Sequence, residues 1–256
     1  MNKSLIPLFA FVFVLSGCSP FGGDKEARIL VANGLSSKAL YELAEVKINA
    51  GSIGQGIKNY RTILESYPGS KYAIQARLDI SFNLYKQKKY NLSILELNKF
   101  IKKYPYHRST PYAYYLKGIV AEAKSSSILD KLVTDNAQRD VDSIRDAYGY
   151  YIDLINTFPN SKYSEDASKK LSSLMNTLAR HELYVAIYYT NIGSHIAAIN
   201  RSKFIIENYP NSSSIPDSLH LMAYNYDEIN AIKLAIDARQ ILSASYPNFS
   251  PNYSIK

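Results

Sequence analysis

The sequence predicts an all-α protein, a solenoid of five stacked helix pairs, and three observations carry this prediction. An aromatic–proline pair recurs five times, with its prolines 37, 54, 51 and 37 residues apart. Each pair closes a segment whose apolar residues recur with helical periodicity. Strand patterns are nearly absent. The five pairs are Tyr67-Pro68, Tyr104-Pro105, Phe158-Pro159, Tyr209-Pro210 and Tyr246-Pro247.

Fixed offsets before each proline define the second helix of each pair. Apolar residues five and eleven positions before it place a stripe on one helical face. A small residue twelve positions before it allows two helices to approach closely. The proline then ends the helix, because the preceding residue is driven out of the α conformation. The small residues are Gly56, Ser93, Ala147, Ala198 and Ala235.

These signals predict ten helices, over residues 36–50, 55–67, 71–87, 90–104, 109–126, 140–158, 162–191, 194–209, 213–228 and 231–246. Ser70, Ser161 and Ser212 follow three of the prolines, where the next helix needs an N-cap. Two long intervals have separate explanations. Residues 125–139 are an insertion within the third pair, and the first helix of the fourth pair is two turns longer than the others.

The N-terminus predicts a bacterial lipoprotein signal. Its apolar run, Leu5–Leu15, spans 11 residues, too short to cross a membrane. It ends in Leu15-Ser16-Gly17-Cys18, which resembles a lipobox. We therefore expect residues 1–17 to be removed and Cys18 to carry S-diacylglycerol and N-acyl chains, palmitate among them. Residues 18–34 read as a flexible tether, and Ser19 favours the outer membrane.

Composition excludes several functions. The single cysteine rules out a disulfide framework and a four-cysteine metal site. His181-Glu182 lacks the second histidine of a zincin motif, and no nucleophile elbow or phosphate loop is present. The net charge of +8 is dispersed, apart from Lys86-Lys88-Lys89 and Lys102-Lys103, which close helices and complement their dipoles. This distribution argues against nucleic acid. We expect no enzyme activity, no metal and no cofactor beyond the lipid on Cys18.

The helix pairs resemble tetratricopeptide repeats, in which the first helix of each pair lines a concave groove. Aligning the repeats on their prolines gives seven candidates for contact with an extended peptide. Packing alone is the alternative for each of them. The candidates are Tyr41, Glu45, Ile48, Gln75, Leu78, Phe82 and Tyr85.

The second half is more specific and resembles the BamD family, the lipoprotein component of the β-barrel assembly machine of Gram-negative bacteria. The matching blocks are Phe158-Pro-Asn-Ser-Lys-Tyr163, a long helix with Glu182, Val185-Ala186 and Tyr188-Tyr189, and Asn200-Arg201 before Tyr209-Pro210. Arg139-Asp140 resembles the family's charged insertion. The resemblance covers about residues 35–247.

The resemblance implies a lipid-anchored protein on the periplasmic face of the outer membrane that is not an enzyme. It implies binding to the periplasmic domains of BamA, to other Bam lipoproteins in some bacteria, and to the C-terminal signals of unfolded outer-membrane proteins. Repeats over 35–105 would form the substrate groove, 106–159 the third repeat, and 160–247 the BamA-docking repeats, before a tail at 248–256. Arg201 would make a charged docking contact; a surface side chain lying along its helix is the alternative.

Two other functions stay open at this point. One is a pilotin that escorts a secretin ring, although the 54- and 51-residue spacings argue against its plain repeat. The other is a scaffold linked to the Tol–Pal system, although no sustained heptad pattern precedes residue 36.

Overall fold

A computed structural model describes residues 34–125 and 141–255. Within these ranges every regular element is an α-helix, which confirms the all-α prediction. Each helix begins and ends within two residues of its predicted boundary. The helices are α1 (Ser37–Asn49), α2 (Ile53–Ser66), α3 (Lys71–Lys86), α4 (Tyr90–Lys103), α5 (Thr110–Ser125), α6 (Val141–Thr157), α7 (Ser164–Asn191), α8 (His195–Asn208), α9 (Ile215–Glu228) and α10 (Ile232–Ser245).

The aromatic–proline pair ends each second helix by one repeated arrangement. The aromatic N–H donates to the carbonyl four residues back, and the aromatic carbonyl accepts from the N–H three residues on. For Tyr104 these partners are Phe100 O at 2.8 Å and His107 N at 3.2 Å. The proline occupies the second position of the resulting turn, where its fixed φ is favourable. The sequence signal therefore marks a hydrogen-bonded turn as well as a helix end.

The chain divides into two compact units at Ala76 and Arg77, within α3. In the first unit, Leu40 and Ala44 of α1 pack against Ile57, Tyr60 and Ile63 of α2, and all five are buried. Gly56 makes this approach possible, because a Cβ there would lie 2.8 Å from Ala44 O. Ser36 caps α1 by accepting a hydrogen bond from Ala39 N at 3.2 Å.

In the second unit, consecutive helices pack in sequence from α5 to α10. The predicted close-approach residues Ser93, Ala147, Ala198 and Ala235 are all fully buried. One core cluster joins α5, α6 and α7 through Ala121, Ala147, Tyr151, Leu154 and Ala167. A second joins α6 to α9 and includes Leu178, Leu183, Ile205 and Leu219.

The long first helix of the fourth pair is confirmed, since α7 has 28 residues whereas the other helices have 13 to 17. Its extra turns lengthen the surface on which α6, α8 and α9 pack. The insertion predicted within the third pair falls between α5 and α6, and residues 126–140, including Arg139-Asp140, lie outside the described residues.

Two of the three predicted N-caps are wrong. Ser70 does cap α3, because its Oγ accepts from Ala73 N at 3.1 Å. Ser161 and Ser212 instead precede helices that begin three residues later, at Ser164 and Ile215. An additional turn closed by the Ser164 N to Ser161 O bond separates proline and helix there. Ser212 Oγ has no partner among the described residues.

The tail after Pro247 folds back onto α9. Tyr253 Oη lies 2.8 Å from His220 Nδ1 and donates to Asp217 O at 3.3 Å. The Phe249 ring is 5.8 Å from the His220 ring. Tyr253 and Ile255 pack against the second core cluster. The tail therefore covers apolar surface on α9, the first helix of the fifth pair, as a capping segment does in repeat proteins.

Candidate partner-binding surface

The three groove candidates on α1 occupy different environments. The Tyr41 ring is half-buried, with its centroid 5.2 Å from that of Tyr60 and 5.5 Å from that of Tyr72. Glu45 is exposed. Ile48 covers the glycine at the α1–α2 contact, where its Cδ1 lies 2.9 Å from the Cβ position of Gly56. Ile48 therefore packs on α2, but it is half-buried, as Tyr41 is, so its assignment to the groove stays a prediction.

The four candidates on α3 also divide. Gln75 is exposed in the first unit. In the second unit, Leu78 is 3% exposed and belongs to the core, so its assignment to the groove is wrong. Phe82 is 37% exposed, and its ring centroid lies 6.1 Å from that of Tyr85. The other six candidates are at least partly accessible: Tyr41, Glu45, Ile48, Gln75, Phe82 and Tyr85.

A tyrosine cluster at the α5–α7 contact was missed by the sequence reasoning. The rings of Tyr115 and Tyr163 stack with centroids 5.1 Å apart, and Tyr112 lies 5.6 Å from Tyr163. Tyr115 Oη donates to Asp166 Oδ2 at 2.6 Å. Burial, followed by this hydrogen bond, raises the pKa of Tyr115. Counting from Pro105 with the offsets that select Gln75 and Leu78 reaches Tyr112 and Tyr115, so the signal was available.

Arg201 lies on α8 and pairs within the chain. Its Nη1 donates to Glu182 Oε2 at 2.9 Å. The Glu182 side chain is 7% exposed and that of Arg201 is 45% exposed. Arg201 therefore neutralises a buried carboxylate on one side and faces solvent on the other. Both interpretations of Arg201, a charged docking contact and a surface side chain along its helix, stay predictions.

The buried carboxylate also acts on its other neighbours. Burial raises the pKa of Tyr209, and the negative charge of Glu182 raises it further. The nearby Arg145 guanidinium opposes this effect on the pKa. The Glu182–Arg201 ion pair thus joins α7 to α8, and the charge of Glu182 also acts on Tyr209 directly after α8.

Two grooves lie along α8, and Arg201 lines the smaller of them. The larger, of about 510 Å³, is lined by Gly193, Ser194, His195, Ile196, Ala197, Asn200 and Ile229. The smaller, of about 340 Å³, is lined by Tyr189, Ala197, Asn200, Arg201 and Phe204. They share Ala197 and Asn200, so the two grooves adjoin on α8.

Four large apolar side chains are exposed on α8 and at the end of α7, and two of them, Ile196 and Phe204, line the grooves. The exposed fractions are 61% for Tyr188, 54% for Ile192, 60% for Ile196 and 39% for Phe204. We call these four residues with Arg201 the α7–α8 surface. Single exposed apolar residues are ordinary, but exposed apolar residues that line a groove, as Ile196 and Phe204 do, mark an interaction site.

A buried polar network holds the α7–α8 turn in place. His195 Nδ1 lies 2.9 Å from Asn225 Oδ1, and Asn225 Nδ2 donates to Thr190 Oγ1 at 2.9 Å and to Leu221 O at 2.7 Å. Asn225 is fully buried. Gly193 supplies the left-handed conformation of the turn, with φ of +73°. The surface is therefore formed before any partner binds, which lowers the ordering cost of association.

The described residues hold no group of three or more histidine, cysteine, aspartate or glutamate side chains placed to bind a metal ion. No helix within them is long and apolar enough to cross a membrane. The geometry of the α7–α8 surface suits recognition of another macromolecule.

Comparison with known proteins identifies relatives along nearly the whole chain. Residues 34–241 match the YfiO family, described as an outer membrane lipoprotein. The outer membrane protein assembly factor BamD of Neisseria gonorrhoeae is 32% identical over 96% of this chain and 92% of its own length. That of Haemophilus influenzae is 31% identical over 95% and 90%, and that of Xylella fastidiosa strain 9a5c is 28% identical over 95% and 82%.

These matches include both the repeats and the long α7 helix that forms the α7–α8 surface, so the resemblance seen in the sequence is confirmed. The chain belongs to the BamD family of outer-membrane protein assembly factors.

Proposed function

We propose that this protein binds the periplasmic domains of BamA through the α7–α8 surface and so promotes folding and insertion of β-barrel proteins. The observation that carries the proposal is the pair of grooves along α8, which are lined by the exposed Ile196 and Phe204 and, in the smaller groove, by Arg201. Interfaces concentrate their binding energy in a few aromatic residues and arginines surrounded by apolar contact. The α7–α8 surface has this composition.

Arg201 would add specificity to that contact. A guanidinium has five N–H donors, and Glu182 engages Nη1. With 45% of the side chain exposed, the outward N–H groups are accessible to a carboxylate of the partner. Because Glu182 already holds the guanidinium in place, a second carboxylate would meet a preorganised donor.

The proposal is tested by affinity purification from detergent-solubilised membranes of the native host. Ile196→Glu places a charge in the α7–α8 surface, and its folding cost is small because the side chain is 60% exposed. Leu92→Glu on α4 is the matched control, since Leu92 is 49% exposed. We expect the unsubstituted chain and the Leu92 variant to recover BamA and the Ile196 variant to lose it.

Recovery of a secretin, or of peptidoglycan-associated lipoprotein without BamA, would contradict the proposal and favour a pilotin or a Tol–Pal-linked scaffold. Other Bam lipoproteins would accompany BamA where the host has them. Arg201→Glu is a poorer test, because it would place a second negative charge against the buried Glu182 and disturb folding.

The accessible aromatic residues support a second part of the proposal, recognition of the aromatic-ended C-terminal signals of unfolded outer-membrane proteins. Phe82 and Tyr85 lie on α3, and Tyr112, Tyr115 and Tyr163 lie at the α5–α7 contact. Half-exposed rings offer large contact area at low entropic cost. Phe82→Ser should weaken binding of a synthetic peptide ending in Phe, whereas Leu95→Ser, at a 48% exposed position of α4, should not.

The lipid anchor at Cys18 is also part of the proposal, and this position lies outside the described residues. Two or more acyl chains would give stable attachment to the outer membrane. Labelled palmitate should enter the unsubstituted protein and should be absent from Cys18→Ser. Labelling of that variant would contradict this assignment.

A further inference from the structure

The turn after α4 differs from its four counterparts in a way that local structure does not require. All five aromatic–proline turns share the same hydrogen bond between the aromatic carbonyl and the N–H three residues on. The residue after proline occupies the third position of the turn. In four of the turns it is glycine or asparagine, which turns favour, and in the turn after α4 it is a tyrosine. In chain order these residues are Gly69, Tyr106, Asn160, Asn211 and Asn248.

Tyr106 is presented to solvent by a rigid turn. It is 97% exposed, more than any other large hydrophobic residue in the described ranges. The Tyr104 carbonyl accepts from His107 N at 3.2 Å and from Thr110 Oγ1 at 2.6 Å. The His107 ring lies 6.1 Å from that of Phe100, which is fully buried. The turn is anchored to the core while its tip carries an unpacked aromatic ring.

The residues around this tip are basic and exposed. Lys102 and Lys103 end α4, and Arg108 follows the turn. No ion pair involves any of these three among the described residues. The sequence contains no aspartate or glutamate between Glu96 and Glu122. None of the other four turns combines an exposed aromatic tip with three flanking cations.

An exposed aromatic ring flanked by cations has the chemistry that recognises a phospholipid surface. Tyrosine favours the level of the headgroups, where its ring is shielded and its hydroxyl remains hydrated. Lysine and arginine are attracted to anionic headgroups. An acidic protein segment would satisfy the cations, but it gives no reason for a fully exposed ring at the tip.

We propose that the turn Tyr104–Arg108, together with Lys102 and Lys103, is a membrane-contact site for anionic phospholipid headgroups. It adds a second, reversible membrane contact to the chain and is separate from the α7–α8 surface. It does not depend on BamA binding, so this site and the docking proposal stand or fail independently.

The absence of tryptophan from the sequence allows a direct test. The chain from position 18 onward would carry Cys18→Ser, so that no acyl chain contributes, and Tyr106→Trp as its sole tryptophan. Vesicles of phosphatidylglycerol mixed with phosphatidylcholine should shift the emission to shorter wavelength, and phosphatidylcholine alone should not. The matched control is Asn160→Trp, at the same turn position after α6, and its emission should not shift.

Charge reversal then distinguishes binding through this turn from attraction by the overall positive charge of the protein. In the Tyr106→Trp background, Lys102→Glu with Lys103→Glu should weaken vesicle binding by at least about tenfold. Lys88→Glu with Lys89→Glu makes the same change of charge at the other end of α4, and we expect it to leave most of the binding. Vesicle binding by the Tyr106→Trp protein should also fall with added salt.

Three results would overturn the proposal. One is no shift of the position-106 tryptophan on anionic vesicles, and another is an equal shift of the position-160 tryptophan. The third is a shift on adding polyglutamate but none on adding vesicles, which would assign the turn to an acidic protein segment. Circular dichroism of each variant verifies that the helices are intact.

Discussion

Replacing Gly118 by alanine tests the packing of α5 against α6. Gly118 is buried on α5, and a Cβ there would meet the ring of Tyr151, lying 2.7 Å from Cδ1 and still closer to Cε1 and Cζ. Tyr151 is fully buried in the first core cluster of the second unit, and its hydroxyl donates to Glu122. Burial and this hydrogen bond restrict how far the ring can move away.

The expected magnitude follows from two opposing effects. Overpacking a filled core costs about 1–3 kcal/mol. Glycine to alanine within a helix gains about 0.5–1 kcal/mol. Because the ring is held at both its edge and its hydroxyl, we expect an overpacking cost near the upper end of its range. After the gain from alanine is subtracted, the net loss of stability is about 1–2 kcal/mol. In a chain of this size that lowers Tm by roughly 2–8 °C.

Gly149→Ala is the matched control, since Gly149 lies on α6 and nothing stands within 4 Å of its Cβ position. It should stabilise the protein by about 0.5–1 kcal/mol. Urea unfolding followed by circular dichroism measures both variants, and Tyr151→Leu should reduce the effect of Gly118→Ala in a double-mutant cycle. If Gly118→Ala were as stabilising as Gly149→Ala, the close approach of α5 and α6 would be wrong.

Three further predictions concern polar contacts. Arg201→Ala should lower the free energy of unfolding in urea by about 1–3 kcal/mol, because it leaves the Glu182 carboxylate buried without its cation. Adding Glu182→Gln should restore most of that loss. If the effects of the two changes were additive, the Glu182–Arg201 ion pair would be contradicted. Tyr253→Phe should lower the free energy of unfolding by about 1 kcal/mol, because it removes the hydrogen bonds of Tyr253 to α9. Removing residues 248–256 should lower it further. An unchanged urea midpoint would show that the tail does not stabilise α9. Burial, and then the charge of Arg239, lower the pKa of His220 below its ordinary 6.5, so the folded state binds fewer protons and stability should fall as pH drops through about 6.5. His220→Phe should flatten the dependence of the free energy of unfolding on pH between about pH 7.5 and pH 5.5. Burial raises the pKa of Asp217, so Asp217 changes stability with pH in the opposite direction, but it is present in both proteins. Equal slopes for the two proteins would refute the assignment to His220.

Helix ends were predictable from sequence because their determinants are local. A proline fixes its own φ and restricts the residue before it, so Tyr67, Tyr104 and Tyr209 mark helix ends without reference to the rest of the chain. The buried small residues were predictable for a related reason. In every pair the small residue twelve positions before proline is buried, so one offset counted from the helix end finds all five.

The lining of the groove was harder to predict because a first helix packs on more than one side. Leu78 and Phe82 are four residues apart on α3, yet Leu78 is 3% exposed and Phe82 is 37% exposed. Ile48 shares the predicted face of α1 but covers Gly56 of α2. Periodicity identifies an apolar stripe, and only the crossing of neighbouring helices decides which of its residues remain accessible.

The Arg201 environment shows a third kind of limit. Its sequence neighbour Asn200 marked the position through resemblance, but its partner Glu182 is 19 residues away on another helix. Pairing them requires the length of α7 and the tight turn at Gly193. The exposed group formed by Tyr188, Ile192 and Ile196 follows from the same turn, so the surface emerges only when α7 and α8 are placed together.

Site-specific photocrosslinking in living cells tests the central claim, that the α7–α8 surface docks on the assembly machine, most directly. A photoreactive phenylalanine analogue at position 196 would be compared with the same residue at position 92, both on exposed apolar positions of the chain. We predict a crosslink to BamA from position 196 and none from position 92. Crosslinks from position 92 alone, or from position 196 to a different protein, would contradict the claim.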